Sequence, residues 1–221
     1  MTQTSHELNG RRAIITGASR GLGQVCAEVF AEHGVKLLLA GRSPKRLEVV
    51  AGALAATHDH AVFAGDLTRQ EEIEGLVEAA QKFGSIDIVI HVMGGGLGMR
   101  DSLLPGDQLD MLFRTNVSAA AEINRLVVPD MIGRGVGNIV HVGSIAGTEA
   151  AGSVGYNAVK AALSAYTRSL GRELADTGVI VTGILPGGFL APENSFERLG
   201  RRSPETLQSV IAERQPRGRL G

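Results

Sequence analysis

The fold is decided by the stretch Ala13-Ile14-Ile15-Thr16-Gly17-Ala18-Ser19-Arg20-Gly21-Leu22-Gly23. Its apolar beginning stops at the first glycine, and apolar residues then recur at helical spacing at Val25, Val29 and Phe30. This order predicts a buried strand, a glycine-rich turn and a helix. The turn has no G-x-G-x-x-G spacing, so alone it fits either a dinucleotide phosphate site or a tight connection.

The same alternation of strand and helix continues along the chain. It predicts further strands at 35–40, 61–64, 86–92, 139–142 and 179–185, and helices at 44–56, 68–83, 107–132 and 153–176. Regular alternation implies parallel strands with right-handed crossovers, and continuous Val, Ile and Leu runs indicate strands buried on both sides. We expect an α/β, Rossmann-like doubly wound parallel sheet with helices on both faces, forming a single domain over 1–221. The stretch after Pro186 is interpreted as an elaborated loop.

Composition narrows the class of protein. With 221 residues, 43% of them hydrophobic, and a formal net charge of -1, the chain indicates one soluble globular domain. Spread charges give no reason to expect a nucleic-acid or membrane partner, and no apolar stretch has the length of a signal or a membrane span. Cys26 is the only cysteine, which excludes an intrachain disulfide and a cysteine-based zinc site. We expect a cytoplasmic protein without a metal.

Tyr156 and Lys160 are four residues apart in a predicted helix and therefore share one face. A tyrosine, with an ordinary pKa of about 10, is a poor acid or base at neutral pH, and a neighbouring cation favours its phenolate. Lowering the pKa to near 7 requires roughly 4 kcal/mol, which one solvated lysine does not supply. A bound oxidised nicotinamide in a dry site would add the second positive charge.

The end of the second predicted strand bears on the cofactor. An acidic residue there would bind an adenosine ribose, whereas the sequence has Arg42 and Ser43, which suit a 2′-phosphate, and Arg20 supplies a second cation. This favours NADP(H) over NAD(H). The alternative is that Arg42, Lys45 and Arg46 are a solvated helix start.

Four features in this order resemble the short-chain dehydrogenase/reductase family, and within it the ketoacyl reductases. They are T-G-x-x-x-G-x-G at 16–23, Ser144 after the fifth strand, Y-x-x-x-K at 156–160, and Pro186-Gly187 after the sixth strand. The resemblance implies that Tyr156 is the general acid or base, that Lys160 lowers its pKa and binds the nicotinamide ribose, and that Ser144 polarises a carbonyl. It also implies that Asn116 supports a water relay to the lysine.

The resemblance further implies a set of cofactor-binding positions. These are Gly17, Ser19, Arg20, Gly21, Leu22, Gly23, Arg42, Ser43, Asp66, Leu67, His91, Gly94, Tyr156, Lys160, Pro186, Gly187 and Phe189. Simpler roles stay open for several candidates: Ser144 as a turn cap, Asn116 as a partner of local backbone, Asp66 as a helix cap, and Tyr156 with Lys160 as an ordinary helical pair.

The sequence departs from the family pattern at three places. His91-Val92-Met93-Gly94 stands where the family has Asn-Asn-Ala-Gly, and we interpret His91 as a neutral buried histidine that donates to a carbonyl. Ala191 replaces a threonine of the nicotinamide loop. The chain ends at Gly221, before the family's next helix and seventh strand, which resembles a C-terminal truncation with the sixth strand at the sheet edge. The segment 187–215 resembles the family's substrate-covering segment.

Together these features predict an NADP(H)-dependent oxidoreductase that interconverts a ketone and a secondary alcohol of a small molecule. The alternatives are a nucleotide-binding module or truncated chain without turnover, and a nucleotide-sugar epimerase or dehydratase. A homodimer or homotetramer is expected if the C-terminus is complete. The residues do not identify the substrate.

Overall fold

A computed structural model describes residues 8–54, 59–215 and 217–221. Its centre is one parallel sheet with the strand order β3-β2-β1-β4-β5-β6. The strands are β1 (Arg12–Thr16), β2 (Lys36–Gly41), β3 (Ala61–Ala64), β4 (Ile88–His91), β5 (Gly137–Val142) and β6 (Val179–Ile184). The predicted doubly wound α/β fold is confirmed.

The helices cover both faces of this sheet. They are α1 (Gly21–Glu32), α2 (Pro44–Ala53), α3 (Gln70–Phe83), α4 (Gly106–Phe113), α5 (Ala119–Arg134), α6 (Ala146–Glu149), α7 (Val154–Glu173), α8 (Ser195–Arg202) and α9 (Pro204–Arg214), with a 3-10 turn at Ala175–Thr177. The helix predicted at 107–132 is α4 and α5 joined by a π-helical turn, Arg114–Ser118. Positions 55–56 of the helix predicted at 44–56 lie outside the described residues.

The core has two halves because successive side chains of a strand point to opposite faces. Ile14 of β1 packs with α3 and α5, whereas Ile15 packs in the second cluster, with α1 and α2. The expectation of burial on both sides holds for β1, β2 and β4, but it is wrong for β3 and β6, which are the two edge strands among the described residues. No helix in the described part of the chain could cross a membrane.

The strand order reverses between β1 and β4, and this reversal positions the site. β2 and β3 lie on one side of β1, and β4, β5 and β6 lie on the other. The loops that follow β1 and β4 therefore diverge and leave a crevice at the carboxyl ends of the strands, where open α/β sheets bind ligands. The segment after β6, interpreted from the sequence as a loop, contains α8 and α9.

Candidate active site and cofactor cleft

The glycine turn between β1 and α1 packs closely against the neighbouring backbone. Gly17 has a left-handed φ of +69°, and a Cβ there would lie 3.0 Å from the Met93 backbone. A Cβ on Gly23 would lie 2.3 Å from the Gly17 carbonyl oxygen. Arg20, the N-cap of α1, makes no side-chain capping bond. The absence of side chains lets the turn pack against the loop after β4 and against the start of α1, whose amino end lies at the crevice and suits an anion.

The residues predicted to select the cofactor gather where β2 ends. A Cβ on Gly41 would lie 3.5 Å from Ser19 Oγ, so the glycine turn reaches the end of β2. Arg42 is exposed and makes no hydrogen bond or ion pair with any described residue. Ser43 Oγ accepts from the Arg46 main-chain N–H (3.4 Å) and caps α2.

Asp66 and Leu67 follow β3 and have local roles. Asp66 Oδ1 accepts from the Thr68 N–H (3.1 Å) and hydroxyl (2.8 Å). Desolvation raises the pKa of Asp66, but the Thr68 hydrogen bonds and the nearby Arg42 and Arg69 outweigh it and leave the pKa lowered. The Leu67 side chain lies in the core, so only its main chain is available to a ligand.

The loop after β4 is fastened to the π-helical turn by Asn116. Asn116 Oδ1 accepts from the Gly95 N–H (2.8 Å), while Nδ2 donates to the Gly95 carbonyl (3.0 Å) and the Leu112 carbonyl (2.9 Å). Gly94 lies at the same place: a Cβ there would lie 2.6 Å from Asn116 Oδ1 and 3.4 Å from Lys160 Nζ. The Asn116 side chain therefore satisfies local backbone, one of the two roles considered from the sequence.

His91 points into the core. Its Nε2–H donates to Asn124 Oδ1 (2.8 Å), and its ring stacks on His141 at 4.9 Å between centroids. Burial lowers the pKa of His91 to about 4, so the ring is neutral at neutral pH. Its side chain faces α5, and only its main chain is left for a cofactor contact.

Ser144, Tyr156 and Lys160 meet beyond the end of β5. The Ser144 hydroxyl interacts with the Tyr156 phenol, and Ser144 Oγ also accepts from the Ala146 N–H (3.1 Å) in a tight turn. Lys160 Nζ lies 5.7 Å from the centroid of the Tyr156 ring and donates to the Val142 carbonyl (2.8 Å). The three side chains come from the β5–α6 loop and from one face of α7.

Burial dominates the ionisation of this group. Desolvation raises the pKa of Tyr156 above 10, and the Ser144 hydrogen bond only partly opposes it. Desolvation lowers the pKa of Lys160 from 10.5 to about 8, because its side chain is only 3% exposed. The phenol is accordingly protonated at neutral pH, and the lysine is largely cationic.

The loop after β6 borders the same group. The Pro186 carbonyl accepts from the Ile145 N–H (3.2 Å), and Gly187 lies against the Ile145 side chain. The Phe189 carbonyl accepts from Asn194 Nδ2 (2.6 Å), which connects the loop to the start of α8. The predicted cofactor-binding positions Pro186 and Gly187 therefore contact Ile145, the residue that follows Ser144.

Two sets of residues were not singled out from the sequence. Thr16 Oγ1 accepts from the Val92 N–H (3.2 Å) and the Met93 N–H (3.3 Å) and so joins the ends of β1 and β4. Glu193 lies among Arg20, Arg46 and Arg198 beside the glycine turn. The position of Thr16 at the end of the first predicted strand could have indicated its role. The contacts of Glu193 join residues up to 173 positions apart, and the sequence contains no local signal for them.

Comparisons with known proteins agree with this geometry. Residues 11–199 match the family model described as short chain dehydrogenase. An uncharacterized oxidoreductase of Staphylococcus aureus (strain MRSA252) is 36% identical over 210 residues, covering 92% of this chain and 90% of the relative.

Solved structures are similar over nearly the whole chain. L-sorbose reductase from Gluconobacter frateurii, complexed with NADPH and L-sorbose, has a TM-score of 0.87 at 30% identity, covering 96% of this chain and 85% of that one. A 3-oxoacyl (acyl-carrier-protein) reductase from Agrobacterium tumefaciens C58 with NADP bound has a TM-score of 0.90 at 25% identity. The match covers 100% of this chain and 86% of that one.

Proposed function

The chain belongs to the short chain dehydrogenase family of oxidoreductases, and from this premise we propose that it transfers hydride between NADP(H) and a ketone or secondary alcohol. The observation that carries the proposal is the convergence of the Ser144 hydroxyl, the Tyr156 phenol and the Lys160 ammonium beside the crevice. Two neighbouring hydroxyl groups can both donate hydrogen bonds to the same carbonyl oxygen.

The crevice fits a dinucleotide. Gly17 and Gly23 leave no room for a Cβ, and their close packing places the turn at the amino end of α1, which is where a pyrophosphate would bind. Arg42 and Ser43 would hold a 2′-phosphate together with Arg20, and Gly94 with Lys160 would contact a ribose. Positions 186–189 would border the nicotinamide. The similar structures with NADPH or NADP support the choice of NADP(H).

In the proposed reaction the side chains bind the carbonyl oxygen of the substrate and supply a proton to it. The bound dinucleotide supplies hydride to the carbonyl carbon. Ser144 donates a hydrogen bond to the oxygen as negative charge develops there, and Tyr156 transfers its proton to that oxygen. Because burial keeps Tyr156 protonated, it is ready to act as an acid in carbonyl reduction. The Lys160 cation stabilises the resulting phenolate.

The substrate proposed is a small-molecule ketone, and the similar proteins suggest two kinds to assay first. One is a ketose, because a similar structure is an L-sorbose reductase, and the other is a 3-oxoacyl thioester, because another is a 3-oxoacyl reductase. Assays with NADPH and NADH on both kinds of substrate would identify the substrate and the cofactor together. NADPH is expected to give the higher kcat/KM.

Replacing Tyr156 by Phe tests the mechanism. We expect Tyr156→Phe to lower kcat by about a hundredfold or more, since proton transfer is lost, while NADPH binding measured by fluorescence is retained. Tyr166→Phe is the matched control, because the only other tyrosine lies near Asn124 in the core. Wild-type turnover by Tyr156→Phe would refute the assignment, and NADPH binding without turnover of any ketone by the wild type would favour a nucleotide-binding module.

A further inference from the structure

Glu193 lies within a cluster of arginines at the rim of the proposed cofactor cleft. Its Oε2 accepts from Arg46 at 2.5 Å, and its main-chain carbonyl accepts from Arg20 at 3.5 Å and from Arg198. These partners come from the glycine turn, from α2 and from α8. One residue of the segment after β6 is therefore bound both to the glycine turn, through Arg20, and to the first turn of α2, through Arg46.

The surrounding structure holds Glu193 in this position. Its φ of +56° is left-handed, a region that a residue with a side chain rarely adopts without support. The Glu193 N–H donates to Glu197 Oε2 (2.6 Å), and Asn194 Oδ1 accepts from the Glu197 N–H (2.9 Å) to cap α8. These two hydrogen bonds hold the main chain of Glu193 at the start of α8.

The cluster carries more positive charge than Glu193 neutralises. Desolvation lowers the pKa of Arg20, and so do the neighbouring Arg198, Arg46 and Arg42, which are close enough to repel it. Four guanidinium groups thus lie near one another, and the Glu193 carboxylate accepts a hydrogen bond from only one of them, Arg46. A cavity of about 410 Å³ opens beside them, and its lining includes Ser19, Arg46 and Glu193. Arg20, Lys45 and Arg46 line this cavity, and a phosphate group can accept several charge-assisted hydrogen bonds from such cations.

The contact between Glu193 and Arg46 is also weak enough to be displaced. The two side chains are 45% and 48% exposed, and exposed ion pairs contribute little free energy. A phosphate that carries up to two negative charges attracts the same arginines more strongly than one carboxylate does.

We propose that Glu193 is an internal anion that competes with the 2′-phosphate for Arg20 and Arg46, beside the Arg42 and Ser43 already assigned to that phosphate. This inference rests on the proposed function. Binding of a 2′-phosphorylated dinucleotide displaces the Glu193 carboxylate and releases residues 191–194 from Arg20 and Arg46. Cofactor binding is thereby coupled to the position of the segment 187–215, which carries α8 and α9.

The test is the affinity of Glu193→Gln for three probes, measured by calorimetry at low salt: NADPH, NADH and 2′,5′-ADP. Removing the competing charge is expected to tighten NADPH and 2′,5′-ADP binding by about two- to fivefold, with little change for NADH. The gain shrinks as salt rises, because the interactions are exposed. Glu205→Gln is the matched control, an exposed glutamate of the same segment, and should leave all three affinities unchanged.

Two further measurements support or overturn the proposal. Arg46→Gln should weaken NADPH and 2′,5′-ADP binding and leave NADH unaffected, and 2′,5′-ADP should increase hydrogen exchange at residues 191–198 of the wild type. Equal gains for NADH and NADPH in Glu193→Gln, or no gain at all, would overturn the competition and leave the proposed function standing. A wild-type chain that binds neither NADPH nor 2′,5′-ADP would overturn both.

Discussion

Among single residues, Lys160 has an ionisation that can be tested through stability. Its pKa is lowered from 10.5 to about 8 by desolvation, so the unfolded chain binds the extra proton between these pH values. The free energy of unfolding should therefore rise between pH 8 and 10.5 by roughly 3 kcal/mol. Lys160→Met should not show this rise.

The measurement is urea unfolding of the wild type and Lys160→Met across this pH range, with the difference between them plotted against pH. Other titrating groups cancel in that difference. Lys82→Met, which alters an exposed lysine at the end of α3, should differ from the wild type by a constant amount. A constant difference for Lys160→Met as well would contradict the lowered pKa.

Residue roles were predictable where they depend on local spacing and not where they depend on distant partners. The four-residue spacing that puts Tyr156 and Lys160 on one face of α7 was visible in the sequence. The core position of the Leu67 side chain and the Asn124 partner of His91 were not, because they depend on how helices pack on the sheet. The contact of Glu193 with Arg46 joins residues 147 positions apart, and no local pattern marks such a pair.

At the level of elements, the π-helical turn Arg114–Ser118 supports the loop after β4, at the candidate active site, through Asn116. Asn116→Ala removes three hydrogen bonds and leaves partly buried main-chain groups of Gly95 and the buried carbonyl of Leu112 without that partner. We expect a loss of about 2–3 kcal/mol in the free energy of unfolding, measured by urea unfolding. Hydrogen exchange at Gly95 should also increase.

The control for this prediction is Asn138→Ala, an exposed asparagine of β5. It should change the free energy of unfolding by less than about 0.5 kcal/mol, as surface substitutions usually do. If Asn116→Ala were equally mild and left Gly95 protected, the loop would be held by other contacts, and the assigned role of Asn116 would be wrong.

Elements were predictable to the extent that hydrophobic periodicity marks them. The strand predicted at 61–64 has those bounds in the structure, since β3 is Ala61–Ala64. The π-helical turn was missed because one extra residue in a helical turn hardly disturbs a pattern of 3.6-residue period. The segment after Pro186 was interpreted as a loop, although it forms α8 and α9 and its apolar residues Phe196 with Leu199 and Leu207 with Ile211 stand at helical spacing.

For the molecule as a whole, alternation of strands and helices indicated a doubly wound sheet but did not by itself fix the order of the strands. In the structure, the reversal beside β1 brings the glycine turn, the end of β2 and the loop after β4 to one crevice. The candidate site therefore depends on long-range sheet pairing, and its residues come from most of the length of the chain.

Acid stability of the whole molecule should depend on two histidines in the core. Burial lowers the pKa of His91 to about 4, and burial together with the charges of His91 and Lys160 lowers the pKa of His141 to about 3. Both lie below the ordinary value of 6.5, so the unfolded chain binds these protons first and stability falls as the pH drops below about 6.5. At pH 5 the loss is roughly 2 kcal/mol for each histidine, a large share of the 5–15 kcal/mol typical of a folded domain.

Urea unfolding at pH 7, 6 and 5 should therefore show a steep loss of stability in the wild type. His141→Gln should show a shallower loss, whatever its stability at pH 7, because one buried site that resists protonation is gone. His33→Gln, which changes a histidine at the end of α1, should keep the wild-type slope. A wild-type slope in His141→Gln would mean that other groups control unfolding in acid.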